Sequence, residues 1–214
     1  MQLKERFAGP SGGIGSDSQQ SNAESAGRAL EYAQKLSRAG RGADASQAFW
    51  KASKEFELSR QPLAAIAAAL EAAWIGRGSP DPMAEVAEVA GRAEGDSVLS
   101  SLQSPNRRAL ARILHPIHFG ADAVIAREGL PIDSIWFVVR GCVLATTRGM
   151  RGSRVRAGRF EEGAIVSESG ALRGARRQAT LMAEQPADLL ELRIDEFAPL
   201  LVEHPALSIL LETR

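Results

Sequence analysis

The sequence predicts an α+β protein in which N-terminal helical hairpins precede an antiparallel β sandwich or jelly roll. Alanine-rich segments with apolar residues at helical spacing fill most of the first half of the 214 residues. Short segments rich in β-branched and aromatic residues, separated by glycine-rich or charged turns, fill most of the second half. Because 44% of the residues are apolar, the chain can bury a substantial core in one or two domains.

The first 22 residues are predicted to form a disordered tail. Residues 10–22 read PSGGIGSDSQQSN and show no periodicity. Such a segment cannot bury enough apolar surface to offset the entropy of ordering. The regular pattern begins near Ser25 with apolar residues three or four positions apart, and this first predicted helix stops at Gly40.

Residues 23–102 are predicted to form a helical, repeat-like domain. Three further helices are expected at 43–58, 62–75 and 83–93. In the second helix, Ala45, Phe49 and Ala52 stand at the A-x3-F-x2-A spacing, which resembles a tetratricopeptide repeat. Small residues let two helices approach and the aromatic ring fills the gap between them. The resemblance implies that these helices bind a protein partner.

Residues 103–214 are predicted to form the second domain. A polar loop at 104–108 is followed by a short helix, ALARILH, and the chain returns to helix at its end, with Phe197, Leu200 and Leu201 facing the sheet. The strands expected between these helices are 123–127, 134–139, 142–147, 155–160, 178–183 and 188–193.

The segment VSESGALRGARRQAT at 166–180 places an acidic residue nine positions before an arginine in a loop of small residues. The carboxylate of Glu168 can accept two hydroxyl hydrogen bonds from a ribose, and the Arg177 guanidinium offers a planar fork of donors to a phosphodiester. The small residues between them, including Gly170 and Gly174, leave room for backbone N–H groups to approach the same anion.

This segment resembles the cassette of the cyclic nucleotide-binding domain, which is shared by protein kinase A regulatory subunits and bacterial catabolite activator proteins. The residues that match are Glu168, Leu172, Gly174, Arg177, Ala179 and Thr180, and the matching flanks are Gly120, IAREG at 125–129, WFVVRG at 136–141 and Gly163. The resemblance covers roughly half of the chain. It selects the jelly roll for residues 103–214.

The resemblance implies a ligand site in which Arg177 pairs with the phosphate, Glu168 takes the ribose 2'-hydroxyl, and backbone groups near Gly170 complete the anion site. The candidate ligand-binding residues are Ser167, Glu168, Ser169, Gly170, Arg177, Gln178 and Ala179. Ser167, Ser169 and Gln178 depart from the family pattern, as does Arg176. The nucleotide is therefore open, with cAMP favoured only weakly over cGMP. The alternative is a structural ion pair between Glu168 and Arg177 in a domain that has lost its ligand.

Other polar residues suggest no catalytic or metal site. The sequence contains no Ser/His/Asp arrangement, no paired catalytic carboxylates and no kinase-type phosphate loop, so no enzyme is predicted. His115 and His118 could share a helix face, but Pro116 disturbs that geometry and no further ligands cluster nearby. No metal or other cofactor is therefore expected.

An arginine-rich stretch separates two of the predicted strands. It could contact nucleic acid or an acidic partner, although a solvated turn is the simpler interpretation. No aromatic residue is interleaved for base stacking. The arginines are Arg148, Arg151, Arg154, Arg156 and Arg159.

Charge and cysteine content bear on partners and location. The formal net charge is zero, so no global field recruits nucleic acid or an anionic membrane. The longest apolar run, 62–70, is too short to span a bilayer, and no signal peptide is found. The single cysteine, Cys142, is expected to be buried and fits a reducing cytoplasm. The chain stops at Arg214, before the helix-turn-helix of many bacterial members, so DNA binding is not expected.

Taken together, the residues and the resemblance predict a non-enzymatic, bacterial-type cytoplasmic sensor or adaptor. Its jelly roll binds a cyclic nucleotide, its helices bind a protein partner, and it does not insert into a membrane. The alternative is a protein-interaction scaffold whose cyclic nucleotide domain is degenerate and binds no ligand.

Overall fold

Helices precede and follow the strands along the chain in the computed structural model, which describes residues 14–76, 82–92, 102–149, 153–166 and 174–211. The helices before the sheets are α1 (Ile14–Arg38), α2 (Gly42–Leu58), α3 (Pro62–Ile75), α4 (Pro82–Arg92) and α5 (Ser104–Ala111). After the sheets come α6 (Ile194–Glu203) and a 3-10 helix at Pro205–Leu211. None of the helices in these ranges is long and apolar enough to cross a membrane.

Eight strands in the described residues form two four-stranded antiparallel sheets. The strands are β1 (Leu114–Phe119), β2 (Val124–Ala126), β3 (Ser134–Arg140), β4 (Val143–Arg148), β5 (Arg154–Phe160), β6 (Ile165–Val166), β7 (Thr180–Ala183) and β8 (Ala187–Arg193). The first sheet has the order β1-β8-β3-β6 and the second the order β2-β7-β4-β5. This alternation between two sheets is that of a jelly roll, so the predicted fold class is confirmed.

The first sheet is buried on both faces, which explains the nearly continuous apolar run of β3. Trp136 and Val138 face the second sheet and belong to the apolar interior of the roll. Ile135 and Phe137 belong to the other core cluster, which also contains residues of all five N-terminal helices and of α6. One continuous core therefore joins the helical half of the chain to the outer face of the roll.

Small residues allow α2 and α3 to pack closely. Ala45, Phe49 and Ala52 are all buried, as their spacing predicts. Two buried serines of α2 donate hydrogen bonds of 2.9 Å to carbonyl oxygens of α3, Ser46 to Ala72 and Ser53 to Ala65. Helix backbones come this close only where side chains are short. The specific likeness to a tetratricopeptide repeat remains a prediction.

The boundaries of α2, α3 and α4 agree with the predicted helices within one residue, whereas the predicted start of α1 is wrong. This helix begins at Ile14 instead of near Ser25, and so enters the range 1–22 predicted as a disordered tail. Residues 1–13 lie outside the described residues. Once the apolar stripe from Ala26 to Leu36 packs on α2, each further residue costs little because helix propagation adds one hydrogen bond per residue.

Two further predictions around residue 110 are wrong. Residues 104–108 are helical, not a loop, because Pro105 occupies the first turn, where its missing N–H is tolerated. His115 belongs to β1, not to a helix continuing from Ala109, and His118 lies in the same strand. Pro116 obscured this strand in the sequence, but β1 is an edge strand, where proline is allowed. The two-residue strand β6 was also not predicted.

Gly141, in the turn between β3 and β4, is expected to be among the least replaceable glycines. Its φ is +87°, and a Cβ there would collide with the carbonyl oxygen of Pro186 and with Ala187. Gly163 has a similar φ of +90° but open space around it. Gly163→Ala should therefore cost about 1–2 kcal/mol from strain alone, and Gly141→Ala roughly 1–3 kcal/mol more. Urea unfolding measures both, and equal losses would contradict the steric argument.

Candidate functional site

The backbone around Arg177 is held against the turn between β2 and β3. The N–H of Arg177 donates to the carbonyl of Leu130, and the N–H of Gly129 donates to the carbonyl of Arg177, both at 2.8 Å. Two residues earlier, Ala175 accepts a hydrogen bond of 3.0 Å from Ile132. This short antiparallel ladder fixes where the Arg177 side chain leaves the backbone.

The guanidinium of Arg177 is buried in the roll, with only 5% of the residue exposed. Its Nη2 donates to Oδ1 of Asp133 at 2.6 Å and lies 3.4 Å from the carbonyl oxygen of Ser134. Its central carbon lies 4.3 Å from the centroid of the Trp136 ring, within the range of a cation–π contact. The ring and the carboxylate together restrain the guanidinium on one face and at one edge.

The exposures of the two charged partners differ sharply. The side chain of Asp133 is 79% exposed and that of Arg177 is 4% exposed. A buried cation is costly unless it is paired and its N–H groups are satisfied. A guanidinium carries five N–H donors in a planar fork, a geometry that matches the paired oxygens of a carboxylate or a phosphate. The arrangement is thus chemically suited to holding a small anion beside an aromatic ring.

The interior of the roll next to Arg177 is apolar. Trp136, Val138, Val143, Leu181 and Ala183 contribute buried side chains to it. Within the part of the chain that the structure describes, no hydrogen-bond partner is found for the buried indole Nε1–H of Trp136. Buried donors are normally satisfied, so this N–H is a candidate to donate to an acceptor on a ligand.

The predicted site residues fall into two groups. Ser167, Glu168, Ser169 and Gly170 lie outside the described residues, so their roles stay predictions. Arg177 is buried and Ala179 packs against the roll interior, whereas Gln178 is exposed.

Sequence reasoning did not identify Asp133 or Trp136 as site residues. The alternation in β3, where Trp136 and Val138 share a face, was a usable signal for the tryptophan. Nothing in the local sequence marks Asp133, because its contact with Arg177 spans 44 positions.

The histidines of β1 connect this strand to helices. The ring of His118 lies between two carboxylates, with Nδ1 at 2.7 Å from Asp188 of β8 and Nε2 at 2.9 Å from Glu71 of α3. His115 Nε2 lies 2.8 Å from Glu196 of α6, and its ring contacts Trp74. Both imidazoles thus serve contacts between the sheet and the helices.

The hydrogen bonds from Asp188 and, second, from Glu71 raise the pKa of His118 to about 9. A folded-state pKa above the ordinary 6.5 means that the charged ring stabilises the fold fully below pH 6.5. This contribution is lost as the pH rises through about 9. His118→Gln should therefore remove part of the fall in melting temperature between pH 6.5 and 9.5. Arg140 lies 3.9 Å from the same Asp188 carboxylate.

The control for this prediction is His204→Gln, because the His204 ring contacts the Asn106 amide instead of a carboxylate. That variant should keep the pH dependence of the wild-type protein. Identical pH profiles for wild type and His118→Gln would show that the ring contributes no charge-dependent stability.

Three comparisons with known proteins bear on this site. Residues 116–204 match the family model described as the cyclic nucleotide-binding domain. This match covers somewhat less than half of the chain, and it contains β2 to β8 and the Arg177 site. No curated protein sequence matches the chain.

Among solved structures, the chain is similar to the catabolite activator protein of Thermus thermophilus, with 17% identity, a TM-score of 0.48, and coverage of 52% of this chain and 53% of that one. It is similar to the regulatory domain of Toxoplasma gondii PKA crystallised with cAMP, with 22% identity, a TM-score of 0.44, and coverage of 48% and 40%. A cyclic nucleotide-binding domain from Methylobacillus flagellatus has 22% identity, a TM-score of 0.48, and coverage of 60% and 71%. The chain thus spans about half or less of the first two proteins.

The match of the family model coincides with the antiparallel roll and with the buried arginine on the segment that enters β7. Residues 116–204 of this chain therefore match the cyclic nucleotide-binding domain in sequence, and in the structure they contain the strands of the roll from β2 to β8.

Proposed function

We propose that the protein is a non-enzymatic signalling sensor that binds a cyclic nucleotide inside the roll, with the cyclic phosphate on Arg177. The observation that carries this proposal is the buried guanidinium, whose central carbon lies 4.3 Å from the centroid of the Trp136 ring, in an otherwise apolar interior. Asp133 balances its charge from one side, and that carboxylate is largely in solvent. A phosphodiester offers paired anionic oxygens that match the planar fork of a guanidinium.

The remaining contacts follow from the sequence. In this proposal Glu168 accepts hydrogen bonds from the ribose, and backbone N–H groups near Gly170 approach the phosphate. The buried indole N–H of Trp136 offers one further donor. cAMP is proposed as the ligand, and cGMP is the second candidate. The exposed Gln178 does not favour either base.

The helical half is proposed to bind a protein partner. Its helices bury one face against the sheet or against each other and leave two large aromatic side chains half exposed, Tyr32 on α1 and Trp74 on α3. Aromatic residues of this kind are enriched at protein interfaces. Because Trp74 also contacts His115 of β1, a partner bound there would touch the roll as well. The cytoplasmic location remains a prediction.

The scaffold alternative has one observation in its favour. The ion pair of 2.6 Å between Arg177 and Asp133 already gives the guanidinium a counter-charge. If that pair satisfies the arginine, the roll needs no ligand and acts as a rigid platform for the helices.

Calorimetric titration of the full chain separates the two functions. The sensor proposal expects heat from cAMP or cGMP and much less from linear 5'-AMP, which lacks the cyclic phosphodiester. Binding next to Trp136 should also change tryptophan emission, and Trp136→Phe should abolish most of that change. No heat from either cyclic nucleotide would favour the scaffold.

A further inference from the structure

Four arginines lie on the outer face of the second sheet, where β4 and β5 pair. Val143 and Ala145 of β4 face the roll interior. The alternate residues of β4, and the β5 residues paired with them, therefore face outward. All four arginines are exposed. We call them the arginine face. The outward pairs are Leu144 with Arg159, Thr146 with Arg156, and Arg148 with Arg154.

A β-bulge brings these arginines onto one face. Ala145 pairs with Gly158 and the next residue, Thr146, pairs with Arg156, which leaves Ala157 as an extra residue on β5. In a regular strand Arg159 would face away from Arg156, because successive side chains alternate. The extra residue reverses that alternation. The bulge therefore converts the sequence RVRAGR into a strand with three arginines pointing the same way.

Carboxylates form ion pairs at one end of the arginine face. Arg159 pairs with Glu184 at 2.7 Å and also contacts Glu161. Arg154 donates to the thioether of Met182 at 3.2 Å, and a thioether is a weak acceptor.

The other end of the face has fewer ion-pair partners among the described residues. Within the described ranges, no side chain forms an ion pair with Arg148, Arg154 or Arg156. Glu128 accepts a hydrogen bond of 3.1 Å from the backbone N–H of Arg148. Arg148 and Arg154 stand directly opposite each other, and like charges in that position destabilise a sheet. An acidic ligand would relieve this repulsion.

Strand β5 also offers backbone groups. It is the last strand of the sheet order β2-β7-β4-β5, and among the described strands it pairs only with β4. Every second residue of an antiparallel edge strand therefore points its N–H and C=O away from the sheet. An extended segment of another protein can pair with these groups.

We propose that β5 binds an extended acidic segment of a partner protein by strand addition. Backbone hydrogen bonds would supply affinity, and the arginine face would select acidic side chains. Acidic residues at every second position of an added strand are about 6.8 Å apart, which is also the spacing along β5 of Arg154 and Arg156. The site is separate from the roll interior, so this proposal does not depend on the nucleotide.

Nucleic acid fits the same surface less well. The outward residues beside the arginines, Leu144, Thr146 and Met182, are not aromatic. Single-stranded nucleic acid binding draws much of its affinity from bases stacked on aromatic side chains. A net charge of zero over the chain also gives little long-range attraction for a polyanion.

Fluorescence anisotropy with the full chain tests the proposal. The probe is a short labelled peptide of alternating glutamate and valine. It should bind at least roughly tenfold more tightly than the same peptide N-methylated at alternate residues, since N-methylation removes the backbone donors but keeps the charges. Equal affinity for both peptides, no binding of the unmodified peptide, or tighter binding of oligothymidylate of equal charge would each overturn strand addition by an acidic segment.

A second experiment reverses charges on the protein. Arg154→Glu with Arg156→Glu should weaken peptide binding at least roughly tenfold. The matched control is Arg28→Glu with Lys51→Glu on α1 and α2, two exposed cations with the same change in net charge. The control should bind the peptide as the wild type does. Equal losses in both double variants would overturn the proposal.

The fold of the charge-reversed variant can be checked independently. Arg154→Glu alone replaces a like-charge pair with an opposite-charge pair across from Arg148. Its melting temperature should stay the same or rise while its peptide affinity falls. Loss of both together would mean that the arginine serves the sheet and not a partner, and would overturn the proposal.

Discussion

Replacing Arg177 by lysine is expected to weaken cyclic nucleotide binding roughly 100-fold, or about 2.7 kcal/mol. Lysine keeps the positive charge but loses the planar fork that binds two phosphate oxygens together. It also loses the guanidinium's contact with Trp136, in which the central carbon lies 4.3 Å from the ring centroid. Calorimetric titration with cAMP and cGMP measures the loss directly.

The neighbouring arginine provides the control. Arg176 is exposed, and its guanidinium donates to the carbonyl of Gly129 at 2.8 Å, outside the roll interior. Arg176→Lys should therefore leave the affinity within a few-fold of the wild-type value. If both lysine variants bind equally well, Arg177 does not hold the phosphate.

The stability of the Arg177→Lys variant distinguishes a binding role from a structural one. The carboxylate of Asp133 is 79% exposed, so weakening its ion pair leaves no buried unpaired acid. We expect a small loss of stability beside a large loss of affinity. The scaffold function would be supported if the variant had a much lower melting temperature than the wild type and the wild type bound no cyclic nucleotide.

Replacing Phe137 by alanine is expected to destabilise the whole protein by about 3–5 kcal/mol. Phe137 is 1% exposed and lies on the side of β3 that faces the helices, in the core cluster shared with Ile66 and Leu70 of α3. The truncation leaves a cavity between the sheet and the helices. Because the core is continuous across that boundary, both halves should lose stability together.

Two spectroscopic probes test this cooperativity. Far-ultraviolet circular dichroism follows mainly the helices, and near-ultraviolet dichroism follows the packed aromatic rings. Both urea transitions should move to lower urea by the same amount. Phe160→Ala is the control, because Phe160 is only partly buried and packs in the roll interior, so it should cost less. A shift confined to one probe would show that the two halves unfold separately.

Long periodic segments and short β-branched runs were predicted well. Helices α2, α3 and α4 begin and end within one residue of the predicted positions, since their apolar spacing and punctuation by proline and glycine are local signals. The same holds for β3, where seven residues read SIWFVVR. The secondary structure of such segments is encoded within a window of a few residues.

Predictions failed where a neighbouring element decides the conformation. The strand LHPIHF was hidden by its proline, which only the edge position of β1 makes acceptable. The extension of α1 back to Ile14 depends on an anchored helix to propagate from. Strand β6 has two residues and owes its existence to pairing with β3.

The sequence by itself determined the antiparallel roll preceded by helices, and it predicted Arg177 as the residue to bind an anion. Both rest on local spacing and on a motif carried by consecutive residues. Only the tertiary structure decided the surroundings of that arginine, namely Asp133 at its edge and Trp136 under its face. It also decided that His118 joins α3 to the roll and that a bulge aligns the arginines of β5. These contacts join residues distant in sequence or depend on strand register, which folding alone establishes.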